Sequence, residues 1–194
     1  MVTSTVALAV TAVVLAAFAG LGTWYSRGRV GSVEDFISAR DSAGPGVMTA
    51  TLVASSMGAW ILFSPAEAAA AFGGVTALVG YGVGSAVPLV VYARLGPRIR
   101  EYVPAGHSLT EYAYARYGPW MYGYVLLVSV AYMFVFLAAE MTGITGALAL
   151  IAGVPLWQTA ALIGGFVLAY TVYGGLQASI FTDTIQTLLL LPLL

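Results

Sequence analysis

Long apolar stretches alternate with short polar ones along this chain, and their lengths predict the elements. A bilayer's hydrocarbon core needs about 20 apolar residues per helix. Residues 1–26 carry no side-chain charge. From Ser42 to Ala93 the only charge is Glu67, and from Tyr117 to Thr182 the only charge is Glu140. Each of those two stretches is long enough for two crossings. The pattern predicts six helices, at about 3–24, 45–71, 74–93, 118–151, 155–173 and 177–194.

Composition agrees with that reading. Of the 194 residues, 60% are apolar and 8% are charged, with mean hydropathy +0.93. Soluble domains carry about 25% charged residues, so most of this surface must meet lipid or other apolar helices. A net charge of −1 leaves no footprint for nucleic acid. The absence of cysteine and the single histidine exclude disulfides, thiol chemistry and a histidine-rich metal site. No nucleophile–base pair or phosphate loop is visible, so an enzyme is not expected.

All seven basic residues are arginines, and they occupy alternate connections. Arg27, Arg29 and Arg40 follow the first helix; Arg94, Arg98, Arg100 and Arg116 follow the third. The turns near 72–74 and 152–154 carry none. The positive-inside rule then predicts cytoplasmic arginine loops and an external N-terminus. The apolar run at 1–24 has no preceding Lys or Arg and three Arg after it, which suits a retained helix better than a cleaved signal.

Interruptions within the helices add detail. The second expected helix carries Ser55, Ser56 and Gly58 near its middle and Pro65 beyond. Two readings stand: a mid-membrane unwinding that exposes carbonyls to a cavity or ion, or a mild kink filled by close packing. In the third, "GYGVGS" (80–85) predicts close helix approach rather than a dinucleotide loop. "GHSLTEYAYARYG" predicts a short surface helix with Ser108 and Glu111 as a capping box, and His107 in a solvated loop. The fourth, at 34 residues or about 50 Å, must tilt or bend, with Gly143 and Gly146 permitting it.

Three acids lie in apolar segments, and intramembrane acids are expensive, about 2.5–3.5 kcal/mol at a helix centre. Counting residues places Glu67 and Glu140 near the outer surface, solvated there or in a vestibule. Asp183 sits about 9 Å into a helix entering from the cytoplasm. Ser179, Asp183, Gln186 and Thr187 (i, i+4, i+7, i+8) make one polar stripe that faces either the bundle and an ion path or the water at a helix start.

The stretch "YTVYGGLQASIFTDTIQ" (170–186) resembles the signature of the sodium:solute symporter family: Y-x-x-x-G-G-L-x-A, then T-D and a Gln three residues after the Asp. "VEDFISAR", "VASSMGAW" and "HSLTEYAYARYG" resemble further family segments, so the likeness covers about Val33 to Leu190. It implies an all-α polytopic membrane protein of leucine-transporter-like fold. The whole chain, 1–194, would be a single transmembrane domain: an extra N-terminal helix (1–26), then the first five-helix repeat (45–194) of an inverted pair, its second repeat absent. It implies Na⁺-coupled symport of a small polar organic solute of proline, urea or similar type, with Na⁺ as coupling ion and no cofactor. By the resemblance, Ala54 and Met57 give backbone carbonyls to Na⁺ and Asp183 lies by the ion's cytoplasmic exit. Ser56 and Trp60 lie near the substrate; proline transporters often carry Asp at the position of Ser56. The expected partners are the plasma (inner) membrane bilayer, the solute and the missing C-terminal repeat, the chain being a truncated or split transporter. The rival implication is a sensory membrane module of the same fold, fused to a signalling kinase.

Overall fold

The computed structural model describes residues 3–39 and 42–193. Arg40, one of the seven arginines of the charge pattern, and Leu194, the end of the sixth expected helix, lie outside the described residues. Every regular element among the described residues is helical: α1 (Ser4–Ser26), α2 (Val33–Ile37), α3 (Pro45–Ser56), a 3₁₀ turn (Ala59–Leu62), α4 (Ser64–Phe72), α5 (Val75–Tyr102), α6 (Leu109–Tyr117), α7 (Pro119–Ala152), α8 (Leu156–Leu190) and a 3₁₀ turn (Leu191–Leu193). Four of these, α1, α5, α7 and α8, are long and apolar enough to cross a membrane, or five spans if α3 and its continuation through Phe72 count as one.

The helices form two compact units, Met1–Ala59 with Met141–Leu194, and Trp60–Glu140. In the first, α8 is the hub and packs against α1, α2 and α3. Its residues Gln177, Ala178, Ile180, Thr182 and Thr187 are buried, on more than one side of the helix. Tyr25 of α1 stacks on Phe181 of α8 at 4.1 Å between centroids, and Arg29 lies 4.2 Å above the Tyr25 ring. In the second unit α4 packs on α5. Few large apolar side chains are buried and many are exposed, as surfaces that meet lipid or other apolar helices require.

Helix ends follow local chemistry. Ser32 opens α2 with a capping box: its hydroxyl accepts from Asp35 N at 3.1 Å, and Asp35 Oδ2 accepts from Ser32 N at 3.0 Å. The Ser32 hydroxyl also donates to Asp35 Oδ2 at 2.8 Å, and that bond, followed by the one from Gly31 N at 3.2 Å, holds the Asp35 carboxyl below its ordinary range. At α6 the expected box is half formed. Ser108 Oγ accepts from Glu111 N at 3.2 Å, but the Glu111 carboxylate accepts from His107 N at 2.9 Å rather than from Ser108. Its other oxygen lies 3.5 Å from His107 Nδ1, so the loop histidine is engaged rather than simply solvated.

Three expectations change. The third helix does not stop at Ala93; α5 continues through Arg94, Arg98 and Arg100 to Tyr102. Charge ends a membrane crossing, not a helix, and Pro88 and Pro97 each remove only one backbone donor. Nothing lies within 4 Å of a Cβ built on Gly80, Gly82 or Gly84, so the glycine run packs against no neighbour among the described residues. The fifth and sixth helices share one element, α8, divided by a single non-helical residue, Gly175 (φ 55°, ψ −148°). That break falls between the two expected segments.

Candidate ion and solute site at the α3–α8 contact

Helix α3 ends in the middle of an apolar segment. Pro45 starts it with a pre-set φ, and it stops at Ser56, with Met57 (φ −106°, ψ 51°) as its C-cap. The Met57 N–H is shared between Val53 O at 3.0 Å and Ala54 O at 3.1 Å. Of the two readings left open by the sequence, the helix breaks rather than merely kinks. Its last carbonyls lose the i+4 donors a continuing helix would supply, Ala54 O keeping only its share of the Met57 N–H, and they carry the negative end of the dipole.

Helix α8 holds this end in register. Thr187 Oγ1 donates to Ala50 O at 2.6 Å, and Thr51 Oγ1 to Ile180 O at 3.5 Å. One turn up α3 from Ala50 is Ala54; one turn back on α8 from Thr187 is Asp183. Asp183 is half-buried, with Ser179 one turn earlier on the same stripe. Thr187 is buried and Ser179 and Gln186 are half-buried, so the stripe faces the bundle and not open water.

The remaining site residues are placed differently. Ser56 is exposed and its hydroxyl turns back to Leu52 O at 2.7 Å. Trp60 belongs to the second unit, where its ring meets Tyr81 edge-on at 5.7 Å and Phe136 at 6.1 Å. Its indole N–H is shielded and finds no acceptor among the described residues. Leaving such a donor unpaired costs about 1–3 kcal/mol, which a ligand oxygen would recover. Glu67 is exposed; Glu140 is half-buried with Oε1 shielded. Among the described residues no cluster of three acids, histidines or cysteines forms a metal site.

Sequence reasoning missed a clamp on the α8 break. A Cβ on Gly174 would lie 2.7 Å from Ser26 Oγ, and one on Gly175 would lie 2.5 Å from Phe36 O. The two glycines let α1 and α2 close against α8 where it bends. Their adjacency in the middle of an apolar run was the available signal.

These features coincide with what the chain resembles. A family model described as the sodium:solute symporter family matches residues 36–192. The chain is 30% identical to a spermidine transporter of Candida albicans, over 84% of this chain and 31% of that protein. It is 26% identical to a probable urea active transporter of Schizosaccharomyces pombe, over 83% of this chain and 24% of that protein. It is 27% identical to a sodium/glucose cotransporter of Vibrio parahaemolyticus, over 93% and 34% respectively. No solved structure gave a significant match. The chain belongs to the sodium:solute symporter family. It is an integral membrane protein whose family and relatives are transporters, not enzymes. It spans about a quarter to a third of the length of these relatives.

Proposed function

We propose that this chain is the N-terminal part of a Na⁺-coupled symporter for a small polar organic solute. The observation that carries the reading is the broken end of α3, tied to the Asp183 stripe of α8. In this reading Ala54 and Met57 offer backbone carbonyls to Na⁺, and Asp183 attracts the ion from its side of the contact. Ser56 and the unpaired indole N–H of Trp60 meet the solute. Spermidine, urea and glucose, the solutes in the relatives' names, all carry the hydrogen-bonding groups such donors and acceptors recognise.

The fold proposed is leucine-transporter-like: α1 as an added helix, then a first repeat of five spans in which the break at Gly175 divides α8 into two. A second, inverted repeat supplies the other wall of the site, and alternating access comes from one repeat rocking against the other. The proposed membrane is the plasma (inner) membrane, with the N-terminus outside. Uptake of labelled spermidine, urea and glucose by the whole transporter carrying this sequence, with Na⁺ and with choline in its place, tests the reading. Na⁺-dependent accumulation of one such solute supports it; equal uptake in both media rejects the coupling.

A further inference from the structure

Helix α5 runs on past its apolar length and ends in charge. Arg94, Arg98 and Arg100 are all exposed there. At 3.6 residues per turn, Arg94, Arg98 and Tyr102 (i, i+4, i+8) share one face. The chain then reverses, and α6 brings Arg116 back to that face. The Arg116 guanidinium carbon lies 5.5 Å from the Tyr102 ring centroid and 5.8 Å from that of Tyr117. Tyr112 meets Tyr102 edge-on at 5.7 Å and Tyr117 at 6.4 Å, so the tyrosines form a frame around the guanidinium. The third arginine of the face thus arrives by tertiary packing.

Arg94 and Arg98 make no hydrogen bond or ion pair among the described residues. Two acids are near. Glu111 is engaged by His107, as described. Glu101 flanks the same face, three residues after Arg98, and forms no ion pair with it. Three arginines against Glu101 and Glu111 leave the face at net +1.

We propose that Arg94, Arg98 and Arg116, grouped around Tyr102, bind the phosphodiester headgroup of an anionic lipid at the membrane surface where α5 emerges. A guanidinium is a planar fork of donors that matches two phosphate oxygens at once, which a lysine ammonium does not. Tyrosines sit at headgroup depth, and Tyr102, Tyr114 and Tyr117 are 50%, 57% and 59% exposed. Arg116 is already held against ring faces, so less side-chain freedom is lost when a lipid arrives. Four basic residues clustered beside a membrane helix are the pattern that anionic headgroups recognise.

The chain in nanodiscs of phosphatidylcholine mixed with phosphatidylglycerol tests this, with retained lipid counted by native mass spectrometry. Phosphatidylglycerol should be retained in preference, and the preference should fall about fivefold per arginine removed in the Arg94→Gln, Arg98→Gln pair. Glu101→Gln should raise it. The charge-matched pair Arg27→Gln, Arg29→Gln should lower it several-fold less; an equal fall would mean diffuse surface charge and overturn the site. Inorganic phosphate at millimolar concentration should not displace the lipid, and displacement would reassign the site to a free anion. If the Gln pair does not fold, the unaltered chain decides: its preference should weaken as salt rises from about 0.05 to 0.5 M, and indifference to salt overturns the proposal.

Discussion

Thr187 donates its hydroxyl to the carbonyl oxygen of Ala50 at 2.6 Å, nearly two turns before α3 stops. That bond fixes which residues of α8 face the broken helix end. An interhelical hydrogen bond in a membrane contributes about 0.6–2 kcal/mol. Thr187→Val keeps the shape and removes the donor, so it should lower the thermal stability of the solubilised chain by about 1 kcal/mol. Thr187→Ser should restore most of it. No difference between Val and wild type would show that apolar packing alone sets the register.

Gly175 sits at φ 55° and ψ −148°, a conformation open to glycine and strained for other residues. Gly175→Ala adds that strain, about 1–3 kcal/mol, to a clash with the Phe36 carbonyl. The substituted chain should lose its monodisperse gel-filtration peak or melt well below wild type. Gly165→Ala, with nothing within 4 Å of its Cβ, should melt as wild type does or slightly higher. A Gly175→Ala chain as stable as wild type would mean that α8 is not clamped at its bend.

Asp35 gives α2 a pH dependence with a definite sign. Its hydrogen bonds to Ser32 and Gly31 favour the carboxylate, so its folded pKa lies below the ordinary 3.8. The capping contribution is full above the unfolded value and fades as pH falls through the folded one. Amide exchange at the start of α2 should therefore accelerate as pH drops through that window, beyond the intrinsic rate change. Asp35→Asn should remove this transition, and its persistence in the variant would assign it to another group.

On the proposed orientation, position 98 is cytoplasmic and position 73 is outside. The chain contains no cysteine, so single-cysteine variants at these positions report without background. An impermeant maleimide added to intact cells should label position 73 and spare position 98 until the cells are opened. The reverse pattern would invert the topology.

How far these features are legible in the sequence depends on how many groups each one involves. Apolar length is a property of a single segment, and it places α1 and α7 almost residue for residue: 3–24 against Ser4–Ser26, and 118–151 against Pro119–Ala152. The end of α5 was misplaced because leaving the bilayer and leaving the helix are separate events. The polar stripe at Asp183 is readable from its spacing, but its anchor is the backbone of Ala50, which no side chain announces. Ser26 and Phe36 close over Gly174 and Gly175 from far along the chain, so the doublet shows that something approaches and not what. The "GYGVGS" glycines look the same in sequence, and none of the described residues comes within 4 Å of a Cβ built on them.

The role of Asp183 is the most direct test of ion coupling. On the proposed reading, an ion at about 8 Å in an effective dielectric near 20 would be attracted by its charge by roughly 2 kcal/mol. That is about a thirtyfold effect on ion affinity. Asp183→Asn keeps the shape and removes the charge; Ser179→Ala, on the same stripe, removes only a hydroxyl. In the whole transporter, Asp183→Asn should raise the Na⁺ concentration for half-maximal uptake by about one to two decades at near-normal expression, with Ser179→Ala far closer to wild type. Unaltered Na⁺ dependence in the Asn variant would contradict this, and Asp183 would then be only a polar residue packed between α3 and α8.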